Sequence, residues 1–155
     1  MPRKPLIRST VHPYHVTARA NNKEPFYCLP DDAWRIFIHH LNNAIIEDGA
    51  KVHAFVLMPN HFHLLLSTPG NDLGVVMQRL MLWVTKSMNI NANRTGRVFG
   101  GKYHYSLVST ENHYDYVLKY VYRNPVKAGM VAKVQDYQFS TIRTLIGIGK
   151  LKFYL

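Results

Sequence analysis

The feature that most constrains this chain is His61-Phe62-His63, a short segment inside the apolar run at residues 52–66. Successive side chains of a β-strand point to opposite faces of a sheet, so the two imidazoles are expected on one face and Phe62 on the other. Two histidines on one face of a strand form a ready pair of metal ligands. Because two imidazoles rarely hold a catalytic cation alone, a third ligand and a reacting group are expected from elsewhere in the fold.

The composition is that of one compact domain that attracts polyanions. Of the 155 residues 47% are hydrophobic, and 19 Lys and Arg against 9 Asp and Glu give a formal charge of +10. Nucleic acid is therefore the first partner to consider. Cys28 is the only cysteine, which excludes an intrachain disulfide and a Cys-rich zinc site. No apolar run approaches membrane-spanning length, so we expect no membrane partner and a cytoplasmic location.

The strand pattern predicts the fold class. Alternating or continuous apolar residues bounded by turn signals predict strands at residues 11–18, 52–58, 61–67 and 103–109. With the intervening helices, this order is that of an α+β, ferredoxin-like split β-α-β sandwich. We expect an antiparallel sheet with helices on one face and the other face available for function. The domain is expected to span residues 1–155, with a basic arm at 1–10 and a weakly patterned tail at 132–155.

Apolar residues at helical spacing predict three main helices. The first is capped by Asp31 or Asp32 and ends at Gly49, and the second is long and capped by Asn71. Residues 89–101, rich in Asn, Gly and Arg, are predicted to form a mobile loop. The third helix covers residues 111–123 and ends before Pro125, where a short helical turn restarts.

The third predicted helix carries two side chains that can complete the site. On a helical wheel Tyr120 lies about 110° from the centre of the apolar stripe, and Asn124 lies one turn further along nearly the same line. If this helix crosses the sheet face of the two histidines, the phenol approaches the cation and the amide oxygen completes its coordination. Two alternatives are open. Asn124 before Pro125 is also a common helix start, and the same helix carries Tyr114, Tyr116 and Tyr122.

Two stretches of the sequence resemble a known family. The segments VHAFVLMPNHFHLLL and YVLKYVYRNPVKAGMV are similar to the motifs of single-tyrosine HUH transposases, and NPVKAG resembles their REP-associated tyrosine transposase branch. The resemblance covers nearly the whole chain, including YHVTARANNKEPFY near the start and GRVFGGKYHYSLV before the third helix. Two motifs in the right order and at the right distance are a specific signal.

The resemblance implies a role for each motif residue. It implies that His61 and His63 bind a divalent cation, Mg²⁺ or Mn²⁺, with Asn124 as third ligand, and that Tyr120 is the nucleophile. Histidine ligands taken without the resemblance also favour Zn²⁺. The implied substrate is single-stranded DNA, often with a hairpin. The implied reaction is reversible strand transfer through a 5′-phosphotyrosine link.

Basic and aromatic side chains are predicted to hold this DNA. The cations expected on phosphates are Arg3, Lys4, Arg8 and Arg19. A second group mixes a cation with rings that stack on unpaired bases, namely Lys102, Tyr103 and Tyr105. We therefore expect a preference for single-stranded or hairpin DNA over duplex. The sequence leaves open whether the protein is a monomer or a homodimer.

Three classes of function are consistent with the sequence. A strand-transferring enzyme ranks first, a non-catalytic DNA-binding module on the same fold second, and a metal-dependent hydrolase unrelated to DNA third. A His-x-His in an apolar strand is by itself more often structural than ligating, but its occurrence together with Tyr120 and Asn124 favours the enzyme. The formal charge of +10 argues against a small-molecule hydrolase.

Overall fold

The computed structural model describes residues 5–148, so the predicted phosphate contacts Arg3 and Lys4 and the end of the tail lie outside the described residues. Four strands and four α-helices follow one another as β1 (Tyr14–Arg19), α1 (Pro30–Asp48), β2 (Lys51–Met58), β3 (His61–Ser67), α2 (Leu73–Ala92), β4 (His104–Leu107), α3 (Glu111–Lys127) and α4 (Ile142–Leu145). Short 3-10 turns at Asn21–Lys23 and Val134–Asp136 complete the described elements.

The strands form one antiparallel sheet in the order β2-β3-β1-β4. The two most apolar strands, β2 and β3, are joined by the tight turn at Pro59-Asn60, and β1 is inserted between β3 and β4. A split β-α-β unit of this kind is the ferredoxin-like arrangement, which confirms the predicted fold class. The arrangement places β1 directly beside the strand that carries His61 and His63.

Helices α1 and α2 pack on one face of the sheet over an aromatic core. Phe62 is fully buried there, with its ring 5.3 Å from that of Phe37 and 6.1 Å from that of Phe99. The apolar stripe of α2 is buried against the same cluster. Phe62 therefore enters the core face, as alternation along the strand predicts.

Helix α3 lies on the opposite face, which was predicted to be available for function. Val117 and Val121 of α3 are buried with Ala54, Val56 and Leu65 of the sheet in a second, smaller cluster. The helix thus covers part of this face and leaves the part beside the histidine pair open as a cavity. Among residues 5–148 no helix is both long enough and apolar enough to cross a membrane.

The helix caps differ in part from the predicted ones. Helix α1 begins at Pro30, so Asp31 and Asp32 stand in its first turn, where their charge complements the helix dipole, and neither is the N-cap. Gly49 ends α1 with φ +66°, as predicted.

The cap of α2 is Asp72, which accepts a hydrogen bond from the Gly74 amide at 2.8 Å. Asn71 does not cap the helix because its amide group donates to Asp48 at 3.0 Å while its oxygen accepts from the Asp72 amide. The helix extends to Ala92 and ends at Asn93 in the left-handed region, with φ +51°. The first four residues of the predicted loop are therefore helical.

Helix α3 runs through Pro125, where the sequence predicted its end. Pro125 lacks the backbone N–H that would donate to the carbonyl of Val121, so one intrahelical hydrogen bond is missing, and the residue is buried in the last turn of the helix. The Ala128 amide still donates to the Asn124 carbonyl at 3.0 Å, and Gly129 with φ +72° follows the helix end. Asn124 is consequently a helix-interior residue and not the N-cap of a separate turn.

Candidate active site

The face of the sheet under α3 collects the polar residues that the core face excludes. His61 pairs with Arg19 and His63 pairs with Thr17 across the β1–β3 ladder. The rings of the two histidines are 5.2 Å apart, and the Tyr120 ring of α3 lies 5.6 Å from that of His63. The crossing of α3 over the histidine pair, on which the predicted site depends, is therefore present.

A cavity of about 650 Å³ opens between β1, β3, β4 and α3. The side chains predicted for catalysis and metal binding, Tyr120, His61, His63 and Asn124, all line it. Arg19, predicted to contact DNA, also lines it and is exposed. Further lining residues are His15, Thr17, Ala18 and His104.

Each imidazole of the pair uses its Nδ1 atom in a protein hydrogen bond. Nδ1 of His61 lies 2.7 Å from Oδ1 of Asn60, and Nδ1 of His63 lies 3.1 Å from Nε2 of His15. Neither Nε2 atom has a hydrogen-bond partner within the described chain. The pair can therefore offer two Nε2 lone pairs to a cation, with the Nδ1 contacts supporting the rings from behind.

Asn124 can add an oxygen ligand to this donor set. Its Nδ2 donates to the Tyr120 carbonyl at 2.8 Å, which leaves Oδ1 as the unpaired end of the amide. Nowhere in the described ranges do three His, Cys, Asp or Glu side chains cluster as a metal site. Two imidazole nitrogens and one amide oxygen suit a divalent cation that takes its other ligands from substrate or water.

The environment of the histidines keeps their rings neutral. Burial, together with the nearby His15 and His61, lowers the pKa of His63 from 6.5 to about 3. Burial, and then the charge of Arg19, lowers the pKa of His61. The pKa of His15 is likewise lowered, by burial and then by His113. Near neutral pH these imidazoles carry the lone pairs that metal ligation requires.

Of the four tyrosines on α3, Tyr120 is the one that lines the cavity. The Tyr114 hydroxyl bonds to Nδ1 of His53 at 3.1 Å, and the Tyr122 hydroxyl bonds to Thr141 at 3.0 Å in a buried position. Tyr116 is 67% exposed, and its ring lies nearly parallel to that of Tyr120 at 6.4 Å. Helix packing thus distinguishes among tyrosines that the sequence left as alternatives.

The other predicted DNA contacts lie away from the cavity. Tyr103 is only 8% exposed and packs in the core beneath the opposite face of the sheet. Tyr105 pairs with Val16 of β1 on that same core face, and its hydroxyl accepts from the Ile7 amide at 3.1 Å. Neither ring is placed to stack on a base beside the histidines. The intervening residue, His104, points to the cavity instead.

The remaining predicted cations have partners of their own. Arg8 forms an ion pair with Asp72 at the start of α2. The ammonium of Lys102 lies 5.5 Å from the centre of the Tyr103 ring. Of the predicted phosphate contacts within residues 5–148, Arg19 is the one that lines the cavity.

Sequence reasoning missed three residues around Tyr120. His15 and His104 line the cavity, and Nζ of Lys127 lies 5.2 Å from the centre of the Tyr120 ring. The signal for His15 was available, because alternation along β1 places His15, Thr17 and Arg19 on one face. Lys127 lay beyond the predicted end of the helix, so its position two turns after Tyr120 was not recognised.

The fold and the cavity together define a class of protein: an α+β domain in which two imidazoles on one face of the sheet lie beside a tyrosine of the helix that crosses this face. A family model described as "Transposase IS200 like" matches residues 9–124, which include all four strands, both histidines and Tyr120. The chain belongs to this IS200-like transposase family.

Solved structures show the same fold. A REP-associated tyrosine transposase bound to a REP hairpin is 18% identical, with a TM-score of 0.76 over 100% of this chain and 92% of that chain. A protein from Deinococcus radiodurans R1, described as a candidate transposase, is 16% identical, with a TM-score of 0.51 over 78% of this chain and 95% of that chain. No curated protein matches the chain.

Proposed function

We propose that this chain is a metal-dependent single-stranded DNA endonuclease and strand transferase that acts through a 5′-phosphotyrosine intermediate. The observation that carries the proposal is the convergence of Tyr120, His61, His63 and Asn124 on one cavity of a protein in a transposase family. Hairpin-containing DNA is the proposed substrate. It is supported by the formal charge of +10 and by the similar fold of a transposase bound to a REP hairpin.

The residues that would hold the cation are His61 and His63 through Nε2 and Asn124 through its amide oxygen. A divalent ion, Mg²⁺ or Mn²⁺, would supply Lewis-acid neutralisation of charge on the scissile phosphate. The chain contributes the neutral state of both imidazoles, because burial lowers the pKa of each ring. It also leaves one side of the site open, since α3 covers only part of this sheet face.

Tyr120 is the proposed nucleophile. Its phenolic oxygen attacks the phosphorus and the bond from phosphorus to the 3′ oxygen breaks, so that the 5′ end is joined to the tyrosine. The phenol proton passes to water, and the departing 3′ oxygen takes up a proton to become a hydroxyl. The reverse attack by another 3′-hydroxyl restores the phenol and joins two strands. The phosphotyrosine link preserves the energy of the broken phosphodiester for this second step.

Two cations of the chain flank the proposed reaction. Arg19 is exposed on the cavity wall, where its guanidinium can contact phosphate oxygens. Nζ of Lys127 lies beside the Tyr120 ring, where a positive charge favours the developing phenoxide. The exposed ring of Tyr116 offers a stacking surface for an unpaired base one turn before the nucleophile. Tyr116 is on the cavity side of the sheet, whereas Tyr103 and Tyr105 are on the core side.

Covalent capture tests the proposal. Wild type and Tyr120→Phe are incubated with Mn²⁺ and a 3′-labelled hairpin-flanked strand and then denatured, and the labelled protein is separated by electrophoresis. The Tyr120 hydroxyl has no hydrogen-bond partner in the described part of the chain, so the Phe variant should fold and bind DNA normally. We expect a labelled protein band with wild type and with the control Tyr116→Phe, and none with Tyr120→Phe. A band that persists in Tyr120→Phe would exclude this nucleophile, and uncleaved but bound DNA in wild type would favour a non-catalytic binding module.

A further inference from the structure

His15 on β1 makes a specific contact with the proposed metal ligand His63 that the function above does not use. Its Nε2 atom lies 3.1 Å from Nδ1 of His63, and the two ring planes are inclined by only 18°. His63 is 6% exposed, so the shared hydrogen bond is shielded from water. The Tyr120 ring stands at a steep angle to both imidazoles, with centroids 5.8 and 5.6 Å away.

The contact follows from the register of the sheet. His63 pairs with Thr17, so His15 is the diagonal neighbour of His63, two residues along β1 on the same face. Diagonal neighbours in an antiparallel ladder are separated by about 7–8 Å between Cα atoms, a distance that long or aromatic side chains can span. Because β1 is hydrogen-bonded on both sides, by β3 and β4, its position beside His63 is well defined.

The chemistry of two neutral imidazoles allows only two forms of this hydrogen bond. In one, Nδ1–H of His63 donates to the Nε2 lone pair of His15, which leaves Nε2 of His63 as a lone pair. In the other, Nε2–H of His15 donates to Nδ1 of His63, which places the remaining proton of His63 on Nε2. A metal ligand acting through Nε2 requires the first form.

The neighbouring ligand shows the same arrangement with an unambiguous acceptor. The Nδ1 atom of His61 lies 2.7 Å from the side-chain oxygen of Asn60, and an amide oxygen only accepts. His61 is therefore protonated on Nδ1 and carries its lone pair on Nε2. A backing acceptor of this kind is a common device by which proteins orient metal-ligating histidines.

We propose that His15 is a positioning residue for the metal site, which accepts the Nδ1–H of His63 and holds the Nε2 lone pair of His63 towards the cavity. His15 then serves His63 as Asn60 serves His61. The inference rests on the proposed function, because the lone pair matters only if His63 is a ligand. The role of His15 is distinct from ligation, since His15 uses its own Nε2 atom to support its neighbour.

The tautomer of His63 in the metal-free protein is the direct test. Long-range ¹⁵N–¹H correlation spectra of the full chain in EDTA report which ring nitrogen carries the proton. We expect the Nδ1–H form in wild type and a shift towards the Nε2–H form in His15→Leu, which removes the acceptor. His15→Gln should retain the wild-type form, because a glutamine side chain can place its amide oxygen near the position of Nε2.

Mn²⁺ affinity, measured by calorimetry on the same proteins, gives a second measurement. His15→Leu should bind Mn²⁺ about 10–100-fold more weakly than wild type, while His15→Gln should stay close to wild type. His53→Leu is the matched control, because His53 also forms hydrogen bonds with Ser67 and Tyr114 but does not line the cavity. Its affinity should be unchanged.

The possible results distinguish a failure of the role of His15 from a failure of the proposed metal site. An Nε2–H form of His63 in wild type would overturn the role of His15, and so would unchanged tautomer and affinity in His15→Leu. If wild type takes up no Mn²⁺, the metal site of the proposed function fails. A change of tautomer confined to His15→Leu would then still support the hydrogen bond inferred here. Should His15→Leu fail to fold, the His63 tautomer in wild type and in His15→Gln decides the question.

Discussion

Acid should destabilise this protein through His63, a single buried imidazole. The folded chain holds the pKa of His63 at about 3, against an ordinary value of 6.5, mainly because the ring is buried. The unfolded chain binds the proton more readily than the folded chain. The free energy of unfolding is therefore unaffected by the titration of His63 above pH 6.5 and decreases as the pH falls from 6.5 towards 3. Each pH unit within that window corresponds to about 1.36 kcal/mol. Between neutral pH and pH 4.5 the loss due to His63 is therefore about 2.7 kcal/mol.

The measurement compares the pH dependence of the free energy of unfolding between wild type and a variant, so a constant difference in stability does not affect it. Urea unfolding of wild type and His63→Leu is followed by circular dichroism in EDTA at several pH values from 7.5 to 4.5. His63→Leu removes the titrating group and keeps a side chain of similar bulk. The free energy of unfolding of wild type should fall by about 2.7 kcal/mol more than that of the variant over this range.

Exposed His12 provides the control for this experiment. His12→Gln also removes one histidine but leaves the surroundings of His63 intact, so the fall in the free energy of unfolding that His63 causes should persist in this variant. Stopping at pH 4.5 limits the contribution of carboxylates, which wild type and variants share. Parallel curves for wild type and His63→Leu would refute the argument that burial of this ring opposes its protonation.

Further outcomes are expected for the metal ligands, for DNA binding and for the core. His61→Ala and His63→Ala should each abolish measurable Mn²⁺ binding in calorimetry while the circular dichroism spectrum is retained, and unchanged affinity in both variants would rule out the site. Arg19→Ala should weaken binding of hairpin-flanked single strands more than Arg8→Ala does, because Arg19 lines the cavity whereas Arg8 is paired with Asp72. In a competition assay, hairpin-flanked single strands should bind more tightly than duplex, and equal binding of the two DNA forms would contradict this preference. The affinity for DNA should fall steeply as the salt concentration rises. Phe62→Ala should lower the free energy of unfolding by about 3–5 kcal/mol in urea titration, and a loss below 1 kcal/mol would contradict its place in the core.

The sequence by itself determined the framework of the fold, and its resemblance to a known family supplied the proposed roles of His61, His63, Tyr120 and Asn124. Period-two alternation through His61-Phe62-His63 depends only on the geometry of a strand, so it predicted which face each side chain takes before any neighbour was known. Apolar stripes at helical spacing identified the helices, because the 3.6-residue period likewise depends only on the geometry of the helix. The wheel position of Tyr120 and Asn124 depended on an unbroken helix, and the structure provides one. These are local properties, and local periodicity is what a single sequence records best.

Only the tertiary structure decided which strands and helices meet, and with them the surroundings of the site. His15 reaches His63 because β1 is inserted beside β3, a pairing between residues distant in the chain. Tyr105 is directed to the core face by the register of β4 against β1, and Tyr103 just before this strand is buried in the same cluster, although their composition favoured DNA contacts. Pro125 stays helical because it lies in the last turn of α3 and packs in a buried position, which outweighs its local preference to end a helix. Packing and register are set by long-range contacts, and spacing along the sequence does not contain them.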